Sequence, residues 1–251
     1  MTAAALALAL GLAAAPPGCD APPLRKGALP FRPGEALAYD VDVMGVVQAG
    51  TLSLAVVPLR ARFRNSSVFA QMRRARGYAL SWADVATLRP QRYRDDSEED
   101  GVRKTTDTRL DVPGPVTMAW SFGDRKGTST LERRGELLDL LSMIYRLRAS
   151  RLAAGDRLCF DLVANRRFWR FSGSVAPGTE RVESAAGIFD TVRVDATVTR
   201  ADGQGPSRPV HLWFGTDARH LPVAAVSEID LGPVRAMLKR SAGAPAAEPA
   251  D

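Results

Sequence analysis

Histidine, cysteine and acidic side chains are the groups of this chain that could perform acid–base, nucleophilic or metal chemistry. The sequence contains two histidines, His211 and His220, and two cysteines, Cys19 and Cys159. His211 shares a predicted strand face with Trp213, whereas His220 falls in the turn DARHLP. The histidines lack the neighbouring acidic residues of a metal site, and there is no Cys-x-x-Cys pair. We therefore predict no metal site.

Catalytic and cofactor-binding motifs are also missing from the sequence. There is no Gly-x-Ser-x-Gly elbow and no P-loop, and GQGPSR lacks the final glycine and the following helix of a dinucleotide-binding loop. A hydrolase whose Ser-His-Asp site forms only in the folded chain is one of the functional classes considered for this protein, but no motif supports it. We therefore predict a non-catalytic protein without a cofactor.

One acidic stretch matches a calcium loop by its spacing. Asp96, Glu98, Asp100, Gly101 and Asp107 overlay the first, third, fifth, sixth and twelfth positions of such a loop. The twelfth position normally carries a bidentate glutamate, and the flanking residues alternate as in strands. We interpret DDSEEDG as the polar tip of a β-hairpin and reject a calcium site.

Arginines are concentrated in one part of this basic chain, whose formal net charge is +6. No acidic residue lies between Asp42 and Asp84, yet that interval contains Arg60, Arg62, Arg64, Arg73, Arg74 and Arg76. Such a patch could meet anionic lipid or a polyanionic glycan, although a solvated sheet face is the simpler interpretation. Aromatic residues make up only 7% of the chain and no nucleic-acid-binding motif is present, so no nucleic-acid partner is predicted.

The N-terminus predicts export. Residues 2–15 form an Ala/Leu run that is too short to span a bilayer but suits the apolar segment of a secretory signal. We interpret residues 1–22 as a signal peptide cleaved after LAA (residues 12–14), or as a lipoprotein-type leader acylated at Cys19. In either case Cys159 would be an unpaired structural thiol. No later segment could span a membrane, so we expect the periplasm or the periplasmic face of the outer membrane.

The elements that must position these residues are mainly strands. Leu37, Tyr39, Val41 and Val43 alternate with polar residues, and a second alternating run at residues 52–56 would complete a hairpin. Further strand-like runs lie at residues 89–94, 102–110, 116–122, 157–164, 168–175, 180–184, 191–199, 210–214, 222–229 and 234–238. Short strands with Gly, Pro and Asp turns predict an antiparallel barrel or half-barrel, in other words a curved sheet.

Two segments have helical features. SWADVATLRP, residues 81–90, has a serine that could cap a short helix and a proline that could end it. ELLDLLSMIYRLRAS, residues 136–150, carries an apolar face at helical spacing, so one amphipathic helix should dock on the sheet. On that helix Arg146 is expected on the exposed side, and Arg148 at the rim of the sheet.

The inward residues of the curved sheet and the helix form the predicted ligand site. Tyr39, Leu54, Tyr145, Arg148 and Trp213 would bind a lipid or another amphiphile, with the arginine pairing with a head group. The same residues would equally make a packed core. The protein would then be a structural or assembly component, which holds an envelope protein or a polyanionic glycan through its sheet edge or its arginines.

Several motifs resemble a known family in the same order. These are FRPGEALAYDVDVMGVVQAGTLSL, DLLSMIYRLR, ESAAGIFDTVRVDA, HLWFGTDARHLPV and LGPVRAML, which resemble the domain-of-unknown-function 3108 family. The resemblance implies a bacterial envelope protein with an antiparallel β architecture and no settled activity. It brings no catalytic residues to this chain. The organisation expected is the leader (1–22), one β-rich domain (23–240) and a disordered tail (241–251).

Overall fold

The computed structural model describes residues 21–56, 59–71, 73–133, 135–229 and 232–242. For residue 229 it describes only the backbone. Most of the predicted leader and tail, including Cys19, lies outside these residues. The strands are β1 Ala36–Val43, β2 Val47–Ala55, β3 Leu59–Asn65, β4 Ala75–Ala83, β5 Pro90–Glu99, β6 Val102–Arg109, β7 Val116–Phe122, β8 Arg125–Leu131, β9 Leu137–Asp139, β10 Arg157–Ala164, β11 Arg167–Val175, β12 Glu180–Ser184, β13 Gly187–Arg200, β14 Arg208–Gly215, β15 Pro222–Ile229 and β16 Gly232–Ala242. The helix α1 is Leu140–Ala149, and Phe69–Gln71 forms a 3₁₀ turn. Among the described residues, no helix has the length and apolarity needed to cross a membrane.

All of these strands belong to one sheet, in which most neighbours in space are also neighbours in sequence. The order is β8-β7-β6-β5-β4-β3-β2-β1-β16-β15-β14-β13-β11-β10-β9, and β12 pairs with β13 off this path. Neighbours are antiparallel except for β9 and β10. The path ends at β8 on one side and β9 on the other, so the sheet is curved and unclosed. The predicted β-rich, half-barrel architecture with one helix is confirmed.

Helix α1 lies between the two halves of this sheet. Leu141 and Tyr145 belong to a core built largely by β1 to β5 and β7, whereas Met143 and Leu147 belong to a second core with β10, β11, β13 and β14. Because apolar residues cover more than one side of the helix, it must be enclosed to bury them. Eight of its ten residues are buried, so α1 fills the interior of the curved sheet.

The helix is shorter than the predicted segment, residues 136–150. The carboxylate of Asp139 accepts hydrogen bonds from the backbone N–H groups of Leu141 and Ser142 at 2.8 and 2.9 Å. The Ser142 hydroxyl accepts one from the Asp139 N–H at 2.9 Å. This capping box fixes the start of the helix at Leu140. The residues before it are therefore extended and form β9.

Arg146 is buried, which corrects the prediction that it lies on an exposed helix face. Its Nε donates a hydrogen bond to the carbonyl of Pro22 at 3.1 Å, and its Nη1 donates one to the carbonyl of Thr87. Glu136 lies 3.8 Å from its Nη2. A helix enclosed on more than one side has no large exposed face for a charged residue, so Arg146 uses backbone carbonyls as partners instead of water.

The short helix predicted for residues 81–90 is wrong. Ser81 lies inside β4 and Pro90 begins β5. In the turn between them, the Asp84 carboxylate accepts hydrogen bonds from the backbone N–H and the hydroxyl of Thr87 at 2.8 and 2.7 Å. Aspartate and threonine side chains that bond to nearby backbone compete with helix formation, and here the turn prevails.

The predicted hairpin tip in DDSEEDG is confirmed between β5 and β6. Asp100 and Gly101 form the turn, with φ angles of 49° and 80°. Positive φ at both central residues is the requirement of a type I′ turn, which Asp-Gly satisfies well.

Cys159 is disulfide-bonded, which corrects the expectation of an unpaired thiol. It lies on β10 opposite Ser172 of β11, whose hydroxyl is 3.8 Å from the sulfur. The other cysteine of the sequence, Cys19, is outside the described residues. A bridged Cys159 and an acylated Cys19 exclude each other within one chain, because no third cysteine is present.

We expect Cys159 in protein from the native host to resist iodoacetamide until a reductant is added. A disulfide sulfur is not a nucleophile, whereas a free thiol is alkylated through its thiolate. Peptide mass spectrometry of samples treated with and without reductant would measure the alkylated fraction. Full alkylation of Cys159 without reductant, together with an acyl mass on Cys19, would favour the lipoprotein interpretation.

Candidate functional site

Four of the five predicted ligand residues, all except Trp213, lie together inside the molecule. Tyr39, Leu54 and Tyr145 pack in one core and are 4%, 3% and 0% exposed. The Tyr39 hydroxyl donates a hydrogen bond to the carbonyl of Pro222 at 2.8 Å. The Tyr145 hydroxyl is buried and has no hydrogen-bond partner among the described residues. A ligand at this position would have to displace α1 or the side chains around it.

Arg148 lies in the interior, which corrects its predicted place at the rim. Its two terminal nitrogens donate to the two carboxylate oxygens of Glu35, one of them at 2.9 Å. Its Nε donates to the carbonyl of Arg219 at 3.1 Å, and Nη2 also donates to that of Pro30 at 2.9 Å. The guanidinium lies 5.3 Å from the ring centre of Phe31. Arg148 therefore ties α1 to the segment before β1 and the turn before β15, and its charge is compensated within the protein.

His220 is part of the same interior arrangement. Its Nδ1 is 2.6 Å from the carbonyl oxygen of Arg148, and its Nε2 is 2.9 Å from Nη2 of Arg25. Burial lowers the pKa of His220 to about 4, so the ring is neutral at pH 7. The neutral ring then donates from Nδ1 and accepts at Nε2, which leaves neither nitrogen for catalysis or metal binding.

Trp213 lies on the opposite face of the sheet from these residues, so its predicted place in the interior is wrong. On β14, Leu212 and Phe214 are buried in the second core, and the alternation of a strand directs His211 and Trp213 outward. The indole N–H of Trp213 donates to the carboxylate of Glu180 at 2.8 Å.

His211 and Asp195 form an acid–base pair on the outer face. His211 Nδ1 is 2.6 Å from Asp195 Oδ1, and Arg193 Nε donates to Oδ2 at 3.0 Å. Burial alone would raise the pKa of Asp195, but the hydrogen bonds from His211 and Arg193 outweigh it and lower that pKa. The strand register places Ser174 on the side of Asp195 away from His211. A hydrolase relay needs the histidine between serine and carboxylate, so this row is not one.

A groove of about 870 Å³ lies along β3, β4, β5 and β6. It is lined by five arginines and two carboxylates, which are Arg62, Arg64, Arg74, Arg76, Arg103, Asp96 and Glu98. We call this site the arginine groove. On β3, the sequence LRARFRN alternates, so the arginines are exposed while Leu59 and Ala61 are buried. The groove is therefore on the outer face of the sheet.

The charges of the arginine groove are only partly compensated. Arg76 is 2.7 Å from Glu98, and Arg103 Nε donates to Asp96 at 3.0 Å. The Arg103 bond holds the pKa of Asp96 below its ordinary value. By contrast, the exposed guanidinium groups of Arg62, Arg64 and Arg74 have no carboxylate partner in the described part of the chain. The groove thus presents three uncompensated positive charges, which favour an anionic ligand.

Asp139 is the buried acid of the interior. Besides capping α1, it accepts a hydrogen bond from the Ser81 hydroxyl at 2.5 Å. Burial raises its pKa to about 6, although the hydrogen bonds from Ser81, Ser142 and Leu141 oppose that rise. Its ionised form is therefore costly in the folded state.

We expect the stability of Asp139→Asn relative to the wild type to increase by about 2 kcal/mol as the pH rises from 4 to 7. The folded pKa of Asp139 lies above its ordinary 3.8. The folded state therefore binds more protons in that window, and the contribution of Asp139 to stability is lost as pH rises through about 6. The contribution of His220 to stability changes with pH in the opposite direction, but it is the same in the wild type and in the variant. Urea denaturation at each pH would measure the difference, and a constant difference would contradict the raised pKa.

The sequence contained a signal for part of this site. The alternation of arginine with apolar residues on β3 indicated an outward row of charges. Glu35 was missed, because nothing in GEALAYD distinguishes a buried partner of Arg148 from a solvated acid. That pairing joins residues far apart in the chain and exists only in the folded molecule.

Comparisons with known proteins place the chain in a family. The family model described as a protein of unknown function, DUF3108, matches residues 38–239. No match was found among curated proteins.

One solved structure is similar in fold, and two others match more weakly. A beta-barrel-like protein of the domain of unknown function DUF1849 from Brucella abortus has a TM-score of 0.57 and 10% sequence identity, covering 84% of this chain and 98% of that chain. A Bacteroides fragilis protein assigned as exported, with a YmcC-like fold, has a TM-score of 0.34 at 11% identity, covering 85% and 98% of the two chains. A Parabacteroides distasonis protein assigned as a lipoprotein has a TM-score of 0.37 at 8% identity, covering 87% and 100%. Only the first is close enough to show a shared fold. Because the family model spans most of the chain, this protein belongs to the DUF3108 family of proteins of unknown function.

Proposed function

We propose that this protein is an exported, non-catalytic protein of the bacterial cell envelope that holds a polyanionic partner in the arginine groove. The observation that carries the proposal is the set of exposed guanidinium groups of Arg62, Arg64 and Arg74, which have no carboxylate partner among the described residues. Arg62 and Arg64 lie two residues apart on β3, so their Cα atoms are separated by about 7 Å. An anion between such groups would relieve their mutual repulsion and gain two-pronged hydrogen bonds.

The packed interior argues against the lipid-carrier function. Tyr39, Leu54 and Tyr145 pack against one another, and Arg148 is already paired with Glu35. An amphiphile would need both the volume that α1 fills and the charge that Glu35 neutralises. Export rests on the apolar N-terminus, which suits a secretory signal.

We expect the triple variant Arg62→Gln/Arg64→Gln/Arg74→Gln to bind inorganic polyphosphate at least about tenfold more weakly than the wild type. Each lost guanidinium removes a charge-assisted hydrogen bond, and the salt dependence of binding should fall with it. Isothermal titration calorimetry at two salt concentrations would measure both quantities. Arg151→Gln/Arg157→Gln/Arg240→Gln is the matched control, since it removes the same charge from exposed positions outside the groove. Equal losses in both variants would mean that net charge, and not this groove, binds the polyanion.

A further inference from the structure

Two exposed aromatic rings and a half-buried leucine form a stripe beside the arginine groove. Tyr78, Leu80 and Trp82 alternate along β4 and point to its outer face, away from Ala79 and Ser81, which are buried. The two rings are 39% and 37% exposed. We call these three residues the β4 stripe. Large rings exposed on one strand face are unusual in a chain with few aromatics, and such a patch points to an interaction site.

The β4 stripe lies between two rows of arginines. The register places Arg60 and Arg62 of β3 beside Leu80 and Tyr78 on one side. On the other side it places Arg94 of β5 beside Leu80. Arg60 and Arg62 have no carboxylate partner within the described ranges, and Arg94 interacts electrostatically with Asp96 of its own strand. Neighbouring strands are about 5 Å apart, so a chain laid along β4 would reach positive charges on both sides.

Trp82 is held in place by its surroundings. The Arg92 guanidinium lies 5.7 Å from its ring centre and donates to the two Asp107 oxygens at 3.0 and 2.7 Å. Trp82 also lines a second groove of about 420 Å³, together with Gln91, Arg92, Arg109 and Asp111. Tyr78 lines the arginine groove on the same strand face. The β4 stripe therefore connects the two grooves along one line, over about 13 Å between Tyr78 and Trp82.

We infer that the two grooves form one elongated site for an acidic oligosaccharide, with sugar rings on Tyr78 and Trp82 and anionic groups on Arg60, Arg62 and Arg94. This inference rests on the proposed function and names the chemistry of its ligand. The C–H face of a sugar ring carries partial positive charge and packs on the negative face of an aromatic ring. The guanidinium forks match the carboxylate, phosphate or sulfate groups of such a chain.

The acidic residues of the site favour a sugar over other anions. Asp96 and Asp111 line the two grooves and could accept hydrogen bonds from hydroxyl groups, while the Gln91 amide can both donate and accept. A glycan offers neutral hydroxyls between its charges. Inorganic polyphosphate and single-stranded DNA have no hydroxyl groups along the chain, so they would donate no hydroxyl hydrogen bonds to these carboxylates.

The test compares oligogalacturonate, inorganic polyphosphate of similar total charge and single-stranded oligothymidine by isothermal titration calorimetry. Trp82→Ala and Tyr78→Ala should weaken oligogalacturonate binding about fivefold to a hundredfold, as loss of a stacking ring does for other polymers. Polyphosphate binding should stay within about twofold, because it has no ring to stack. Trp82→Tyr should restore most of the loss. Ile188→Ala, an exposed apolar position on another hairpin, is the control for surface truncation.

The outcomes separate this inference from the proposed function. If both aromatic variants bind oligogalacturonate as the wild type does while the triple arginine variant loses both polyanions, the glycan inference is overturned and the proposed function stands. If the triple arginine variant keeps both polyanions, both are overturned. Tighter binding of oligothymidine than of oligogalacturonate, with the same dependence on Trp82, would assign the site to single-stranded nucleic acid and overturn the glycan inference.

Discussion

Arg148→Met is expected to lower the free energy of unfolding by about 3–5 kcal/mol, the largest effect of any single change proposed for this protein. The side chains of Arg148 and Glu35 are both fully buried. Removing the arginine leaves the Glu35 carboxylate in the core without its partner, and it also frees the carbonyls of Pro30 and Arg219. Urea denaturation at pH 7, followed by circular dichroism, would measure the loss.

The double variant Glu35→Gln/Arg148→Met tests the physical reason. When both charges are removed, no uncompensated ion remains in the core, so part of the lost stability should return. Arg151→Met is the control, since Arg151 is exposed just beyond the end of α1 and should change stability by no more than about 0.5 kcal/mol. A double variant as unstable as the sum of its single variants would mean that the two charges do not interact.

Leu141→Ala is expected to cost about 2–5 kcal/mol, because it leaves a cavity in a core that cannot fully collapse. Leu141 is 0% exposed and packs where α1 meets the inner face of the sheet. Its neighbour Leu140 is 40% exposed, so Leu140→Ala is a matched control and should change stability by only about 0.5 kcal/mol. Chemical denaturation of both variants gives the comparison. Equal effects at the two positions would contradict the burial of this side of α1.

β1 was predicted from the sequence because its two faces differ, whereas β3, β4 and β8 were not predicted. Leu37, Tyr39, Val41 and Val43 of β1 alternate with polar residues, and all four are buried. β8, with the sequence RKGTSTL, has no apolar face because it lies at the end of the sheet with little core to cover. Its pairing with β7 depends on backbone hydrogen bonds that leave no pattern in the side chains.

The helix was predictable as an element, but its surroundings were not. The period of 3.6 residues identified α1, yet the same pattern suits a helix with one exposed side and a helix enclosed within a sheet. Arg146 and Arg148 suggested exposure, and both proved to be buried with partners that are distant in sequence. Trp213 shows the same limit, since alternation showed that it shares a face with His211 but not which face is inside.

The pairing of β1 with β16 also affects when this chain can fold. The register joins Ala36 to Ala242, so the first strand of the described chain cannot complete its hydrogen bonds until the last strand has been synthesised. Contacts of such large sequence separation slow folding, because most of the chain must be ordered before they form. While the chain leaves the ribosome, β1 therefore lacks one of its two partner strands. That delay is compatible with the proposed export, because a translocation channel that accepts only unfolded polypeptide requires a chain whose sheet has not yet closed this pairing.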